Sequence, residues 1–205
     1  MQIVHFPHPA LRRKSVPVTE INDDLRAIVR RMFELMYEHR GIGLAANQVG
    51  LPLRLFVINL TGDPEQRDEE HVFINPEILR RKGNAQGEEG CLSLPKLYGQ
   101  VRRAEQIVVE AFDLDGQGFE VSVDDLGSRA IQHESDHLDG ILFTDRMTDS
   151  AKKEFDSAMA DFERHFRRQQ EVGTLPSDEE LISQLEKWEA VPPTAAELGI
   201  TAARP

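Results

Sequence analysis

The motif His133-Glu134-x-x-His137 constrains this chain more than any other feature of its sequence. An α-helix turns about 100° per residue, so side chains four residues apart share one face and both imidazoles can bind one divalent metal ion. Glu134 lies beside them, where a carboxylate can take a proton from water that the ion activates. The motif therefore predicts a hydrolytic metal site on a helix; a surface helix with two solvated histidines is the alternative interpretation.

A third protein ligand is needed, because a catalytic zinc-type site has three and leaves one position for water. Cys91 is the single cysteine of the chain and lies in the segment Gly-Glu-Glu-Gly-Cys-Leu-Ser-Leu-Pro, residues 87–95. The glycines of this segment let its backbone approach a site closely, and a single cysteine excludes an internal disulfide bond. Cys91 is therefore either this ligand or an inert buried thiol, and taken alone it favours neither.

A segment rich in glycine and alanine, residues 41–50, follows an amphipathic stretch and carries the side-chain amide of Gln48. Such small residues suggest a backbone that lies against a ligand. The alternative is that Gly41 is a helix C-cap and that the following residues form a tight crossing of chain segments.

These three segments, in this order, resemble the peptide deformylase family. Its glycine-alanine-glutamine loop, its E-G-C-x-S segment and its histidine helix are matched by residues 41–48, 89–93 and 132–137. Residues 3–11 and 138–143 also look like the family, and the resemblance covers about residues 1–168. It implies an enzyme that removes the formyl group from the N-terminal formylmethionine of nascent polypeptides and releases formate.

The resemblance also implies a role for each site residue. Cys91, His133 and His137 would bind the metal ion, and Glu134 would be the general base. The amide of Gln48 and the backbone N–H of Leu92 would stabilise the oxyanion.

For the substrate, the resemblance implies that Ile42 and Gly43 pair with the peptide backbone. An apolar pocket would take the methionine side chain, with Ile42, Leu126 and Ala130 as candidates for its wall. Ordinary core packing explains each of these residues equally well.

The ligands do not determine which metal is bound. A thiolate with two imidazoles suits Zn(II) and also holds Fe(II), Co(II) or Ni(II). The resemblance implies one divalent ion, Fe(II) in the cell, with Zn(II), Ni(II) or Co(II) as replacements in the purified protein.

Two other functions fit the histidine motif. A metallopeptidase of the same H-E-x-x-H class would use a downstream third ligand, such as Glu154 or His165, in place of Cys91. A noncatalytic binding domain would use the metal ion only to stabilise its fold.

The chain is net negative, with 36 acidic against 24 basic residues. This excess argues against nonspecific binding of nucleic acid by the whole body, and we expect no sequence-specific nucleic-acid partner. The chain opens with no apolar stretch of signal-peptide length and nowhere has 18 consecutive apolar residues. We therefore expect a soluble cytoplasmic protein without membrane contact.

Three helices are predicted from apolar spacing. Apolar residues recur at helical spacing from Ile21 to Met36, with an N-cap within residues 22–24 and an end at Gly41. Asp124 or Asp125 can cap the histidine helix and Gly140 can close it. Residues 150–170 repeat phenylalanine and methionine on one helical face.

Strands are predicted at residues 53–60 and 72–79, with a hairpin of residues 107–114 and 119–123 around the turn 115–118. The expected fold class is α+β. Mixed or antiparallel strands wrap around a central helix that bears the histidine motif, with helices at both flanks, as the family resemblance also implies.

Residues 1–170 are predicted to form the catalytic domain and residues 171–205 an acidic C-terminal extension. The extension combines a short amphipathic helix within residues 177–190 with a proline-rich end. Trp188 would anchor a docking or self-association helix; the alternative is a helix packed on the body or partly disordered.

Basic residues on the helix before the extension could bring the protein into transient contact with ribosomal RNA, because the substrate emerges from the ribosome. A solvated helix face is the alternative. The residues concerned are Lys152, Lys153, Arg164, Arg167 and Arg168.

Overall fold

The computed structural model describes residues 1–200. Its α-helices are α1 (Asp23–Glu38), α2 (Asp125–Leu138), α3 (Asp149–Lys153), α4 (Asp156–Glu171) and α5 (Asp178–Ala190). Its strands are β1 (Gly43–Ala45), β2 (Leu55–Ile58), β3 (His71–Lys82), β4 (Ala85–Cys91), β5 (Leu94–Arg103), β6 (Gln106–Phe112) and β7 (Gly118–Asp124). Short 3-10 helices occupy Pro9–Arg12, Ala46–Val49, Arg67–Glu69 and Phe143–Arg146.

Helix α1 forms where the apolar spacing predicts it. The side chain of Asn22 caps its first turn by accepting a hydrogen bond from the backbone N–H of Leu25, 3.0 Å between Oδ1 and N. Its apolar face, which includes Ile28 and Met32, is buried in one core cluster with Leu55 of β2. The first helix is therefore fixed against the main sheet.

The main sheet has five antiparallel strands in the order β1-β2-β3-β6-β7, so β1 lies at one edge. The predicted hairpin is its β6–β7 pair, in which Gln106 lies opposite Asp124. Strands β4 and β5 form a separate antiparallel pair. Two sheets thus surround the helix that carries the histidine motif.

Helix α2 begins directly after β7 and packs its apolar side against the main sheet. Ala130 and Ile131 share a buried cluster with Phe56, Phe73 and Val109 of three strands. This arrangement confirms the predicted α+β fold, with strands around a central helix and helices at both flanks.

The C-terminal end of α2 depends on a glycine. Gly140 has φ of 73°, in the left-handed region, and a side-chain Cβ there would lie 2.6 Å from the carbonyl oxygen of Arg12. The side chain of Asn47 also donates a hydrogen bond to the carbonyl of His137, so the last turn of α2 is held to residues 46–49.

The prediction of one helix over residues 150–170 was wrong in detail. The helix is interrupted after Lys153, and Phe155 turns its ring into a cluster with Phe143, at 6.3 Å between ring centroids. The aromatic spacing continues through the break, and for this reason the sequence pattern did not reveal it.

Helix α5 packs on the body of the protein. Leu185 is buried, Trp188 packs against the core cluster that contains α1, and the guanidinium of Arg13 pairs with Glu189. Among the alternatives given for this segment, the structure shows a helix that packs on the body of the protein.

Within residues 1–200, no helix combines the length and the apolar character that a membrane crossing requires.

Candidate metal centre and active site

Three potential metal-binding atoms converge from two elements. Cys91 ends β4, and His133 and His137 lie one turn apart on α2. Nε2 of His137 is 3.2 Å from Sγ of Cys91 and 3.2 Å from Nε2 of His133, and the ligand atoms of all three residues lie within 4.8 Å of one another. The structure therefore brings together the residues that the sequence predicted as metal ligands.

The spacing of these atoms fits a tetrahedral metal site. Metal–nitrogen and metal–sulfur bonds of about 2.0 to 2.3 Å at tetrahedral angles place ligand atoms roughly 3.3 to 3.7 Å apart. The two separations that involve His137 are 3.2 Å each, close to these values, and a thiolate with two imidazoles is an ordinary donor set for a divalent ion. Glu154 and His165, the ligands that a metallopeptidase would use, are exposed and lie outside this group.

Glu89 fixes the orientation of the His133 ring. Its Oε2 accepts a hydrogen bond from Nδ1 of His133 at 3.0 Å, so Nε2 of that ring faces the other two ligand atoms. Burial by itself would raise the pKa of the Glu89 carboxyl, but hydrogen bonds from His133 and Arg103 outweigh it and hold that pKa well below its usual range. Glu89 therefore remains an ionised carboxylate although it is buried.

A network of charged side chains, most of them buried, supports Glu89. Arg103 donates to both of its carboxylate oxygens, with 2.9 Å for each N–O distance, and Arg129 donates to Oε1 at 2.8 Å. Arg103 also pairs with Asp136 of α2, which accepts two further hydrogen bonds from Arg146 at 3.0 and 2.6 Å. Together these contacts join β4 and β5 to the helix that bears both histidines.

Glu134 is buried between α2 and the edge strand β1. Its Oε2 has no hydrogen-bond partner among the described residues, and burial raises the pKa of this carboxyl to about 7. A Cβ at Gly43 would lie 2.5 Å from Oε1 of Glu134, so only glycine leaves room for the carboxylate here. A group that titrates near neutrality beside the ligands suits a general base.

Gln48 directs its amide toward the ligands. Its Oε1 accepts a hydrogen bond from the backbone N–H of Ala45 at 2.8 Å, and its Nε2 lies 3.4 Å from both Sγ of Cys91 and Oγ of Ser93. Because the oxygen is held by the backbone, the NH₂ group is the end that faces the site. Leu92 lies in the turn between β4 and β5, directly after Cys91.

A cleft of 640 Å³ opens over these groups. Leu126 is half exposed at its mouth. His137 lies beneath the surface of the cleft, with 1% of its area exposed. The other predicted site residues all line the cleft: Ile42, Gly43, Gln48, Cys91, Leu92, Leu126, Ala130, His133 and Glu134.

Arg129 also lines this cleft, which its place in the sequence did not predict. Its guanidinium covers Gly87, where a Cβ would lie 2.8 Å from it, and donates to the carbonyl oxygens of Ala85 and Val101 at 3.1 and 3.0 Å. The roles of Glu89, Arg103 and Asp136 were not predicted from the sequence either. A usable signal was the alternation Gly99, Val101, Arg103 on the buried side of β5, which places a charge where an apolar residue is expected.

Proteins that are similar to this chain in sequence are peptide deformylases. The family model described as polypeptide deformylase matches residues 1–153. A peptide deformylase of Rhodopirellula baltica is 42% identical over 191 residues, which is 93% of this chain and 94% of that protein. One of Acidobacterium capsulatum is 53% identical over 146 residues, or 71% of this chain and 85% of that protein.

Solved structures agree with these matches. Peptide deformylase of Plasmodium falciparum superposes with a TM-score of 0.79 at 38% identity, covering 82% of this chain and 98% of that chain. Peptide deformylase 1B of Arabidopsis thaliana gives a TM-score of 0.79 at 38% identity, with coverage of 86% and 96%. Matches in sequence and in structure therefore coincide on the part of the chain that carries the cleft and its ligands, and the chain belongs to the peptide deformylase family.

Proposed function

We propose that the chain removes the formyl group from the N-terminal formylmethionine of nascent polypeptides and releases formate. The family match supports this metal-dependent hydrolysis and not the metallopeptidase alternative. The observation that carries the proposal is the convergence of Cys91, His133 and His137 beside the buried carboxylate of Glu134, at the floor of a cleft.

Cys91, His133 and His137 would hold one divalent ion. When bound, such an ion supplies Lewis acidity, which lowers the pKa of water and polarises a carbonyl group. We propose Fe(II) as the ion in the cell, with Zn(II), Ni(II) or Co(II) in its place after purification. Iron-loaded protein should lose activity on prolonged exposure to air, and unchanged turnover would contradict the choice of iron.

Glu134 would act at two points of the reaction. It takes a proton from the attacking water, whose oxygen forms a bond to the formyl carbon. It then gives that proton to the leaving nitrogen as the carbon–nitrogen bond breaks, so that formate and a free amino terminus result.

The oxyanion that forms between these steps needs donors. The NH₂ group of Gln48 faces the ligands, and we propose that it donates to this oxygen together with the backbone N–H of Leu92.

We propose that the peptide lies along β1, which is an edge strand and can therefore pair with an added strand. Ile42 and Gly43 would pair with its backbone, and Ile42, Leu126 and Ala130 would contact the methionine side chain. All four line the cleft. Arg129 lies beside them, so its aliphatic stem would complete the wall while its charge is held by Glu89.

The test is formate release from a formyl-Met-Ala-Ser peptide, with metal content measured on the same sample. Glu134→Gln should bind metal normally and lose activity by at least about a hundredfold. Cys91→Ala should lose tight metal binding. Full metal content with no hydrolysis of any formylated peptide by the unaltered protein would contradict the proposal.

Cytoplasmic location and transient ribosome contact are also proposals. Arg164, Arg167 and Arg168 of α4 pair with Asp161, Asp178 and Glu171 respectively, so the charge that this helix presents to RNA is small. Co-sedimentation with ribosomes that weakens as salt rises would support the contact.

The division of the chain into a catalytic domain, residues 1–170, and an extension, residues 171–205, is likewise a proposal. The extension is not peculiar to this chain, because the match to the Rhodopirellula baltica protein covers 93% of the chain and so reaches well beyond residue 170.

A further inference from the structure

A second cavity lies directly beside the active-site cleft. Its volume is 610 Å³, and it shares His5, Pro95, Lys96 and Leu97 with the cleft. Beyond these shared residues it runs between the N-terminal segment and α4, and we call it the α4 groove. One stripe of α4 at helical spacing forms its far wall: Ala158, Asp161, Phe162, His165, Phe166 and Gln169.

The near wall of the α4 groove is fixed to the active site. The backbone N–H of Val4 donates to the carbonyl of Gln48 at 2.8 Å, and that of Phe6 donates to the carbonyl of Ser93 at 3.1 Å. Gln48 and Ser93 stand next to Cys91, since both side chains lie within hydrogen-bond distance of each other there. The groove therefore keeps a constant position relative to the reacting group.

The groove combines an apolar floor with a polar rim. Phe6, Leu97 and Phe162 are half-buried along it, whereas His5 and His165 are exposed at its edge. Partial burial lowers the pKa of His5, and the nearby His39 and His165 lower it further. Lys96 and Asp161 add one exposed charge of each sign to this rim. An apolar floor beneath a polar rim suits the side chains and amides of an extended peptide.

We propose that the α4 groove binds the part of the formylated polypeptide that follows its first three residues. The inference rests on the proposed function and extends it. A peptide whose terminus reacts beside Glu134 has to leave the cleft, and the groove borders that cleft along His5, Pro95, Lys96 and Leu97. The occupant is therefore the downstream segment of the substrate, in an extended form that advances about 3.3 to 3.6 Å per residue.

The experiment compares two substrates, formyl-Met-Ala-Ser and the same peptide extended by six residues that alternate leucine and serine. The extended peptide should have a kcat/KM about tenfold higher, as expected for burial of about one apolar side chain. Ala158→Trp, which fills the groove, should remove this advantage and leave the short peptide unaffected.

Ser157→Trp is the matched control, because it adds the same ring to an exposed neighbour that does not line the groove. Ser157→Trp should keep the tenfold higher kcat/KM for the extended peptide. If Ala158→Trp does not fold, His165→Trp replaces it, since the exposed His165 tolerates a larger side chain at the groove wall.

The outcomes separate the two proposals. Equal kcat/KM for both peptides in the unaltered protein would overturn the proposal that the groove binds the peptide, and would not contradict deformylation. If neither peptide yields formate, the proposed function fails. The groove is then tested by binding of the unformylated extended peptide with a fluorescent label: an approximately tenfold weaker affinity in Ala158→Trp than in Ser157→Trp supports it, and equal affinity overturns it.

Discussion

The carboxylate of Glu89 and the Nδ1 atom of His133 lie 3.0 Å apart, on the side of the imidazole away from the other ligands. This contact fixes both the ring orientation and the tautomer, because a carboxylate at Nδ1 requires the proton to be there and leaves Nε2 free to bind a metal ion. The ligand set that the histidine motif predicts is therefore incomplete without a residue more than forty positions earlier in the chain.

We expect Glu89→Gln to weaken metal binding by about 10- to 100-fold, because the charge behind His133 is lost. A chelating dye in competition for Zn(II) measures the affinity. Glu110→Gln, at an exposed position of β6, makes the same chemical change away from the site and should have no effect. Equal affinities in the two variants would show that Glu89 does not support the ligand.

Arg103→Met should destabilise the protein by about 3 to 5 kcal/mol, because it leaves Glu89 and Asp136 as buried charges without their shared partner. Urea unfolding of the metal-free protein measures the free energy. Arg102 is the adjacent exposed residue, and Arg102→Met should change stability by less than about 0.5 kcal/mol. A similar small loss in both variants would contradict the importance of the network.

Gly43→Ala should lower kcat/KM for formyl-Met-Ala-Ser by at least about tenfold, because the added methyl group would displace the carboxylate of Glu134. Metal content should be unchanged, since the three atoms nearest to the added methyl group all belong to Glu134, which is not one of the proposed metal ligands. Gly118→Ala is the control, as its Cβ would meet only ordinary contacts at 3.5 Å or more. Full activity in Gly43→Ala would mean that Glu134 can act from another position.

His8 should make stability depend on pH between about 6.5 and 4. Burial lowers the pKa of His8 to about 4, although Asp178 opposes the change, and its Nδ1 accepts a hydrogen bond from the backbone N–H of Ala10 at 3.2 Å. In the unfolded chain this imidazole titrates near 6.5, so the unfolded state binds more protons in this range. Stability should therefore fall by about 3 kcal/mol as the pH decreases from 6.5 through 4.

His8→Asn keeps an acceptor for the N–H of Ala10 and cannot titrate, so it should lose less stability over the same pH range. Urea unfolding at pH 7, 5 and 4 gives the comparison, with His71→Asn as the exposed control. If the unaltered protein and His8→Asn lose the same stability on acidification, other groups account for the effect.

Leu185→Ala should cost about 2 to 4 kcal/mol if α5 unfolds together with the body, because the side chain is 2% exposed. Ile182→Ala, on the same helix at 39% exposure, should cost less than about 1 kcal/mol. Calorimetry measures both. A separate low-temperature transition for α5, with the main transition unchanged in Leu185→Ala, would show that the extension is an independent appendage.

Much of the site could be predicted because its residues lie in short local motifs. The spacing of His133 and His137 is a property of one helix, and apolar periodicity also gave α1 and the β6–β7 hairpin. Strands β4 and β5 were missed because β4 is rich in glycine and charge, and its pairing with β5 depends on contacts across the chain.

The supporting charges were missed for a related reason. Arg103, Asp136 and Arg146 lie on three different elements, and each alone resembles an ordinary surface charge in the sequence. Only the fold shows that Arg103 pairs with both Glu89 and Asp136, and that Arg146 pairs with Asp136 in turn.

The ion pairs that join β5 to α2 have a practical consequence for how the metal ion is exchanged. They connect side chains of the protein to one another and do not pass through a metal ion. The proposed metal site therefore keeps its geometry through contacts within the chain. A chelator should then remove the ion without unfolding the protein, and a different divalent ion should bind at the same site. Which element is found in a given preparation would follow from what the cell or the buffer offers.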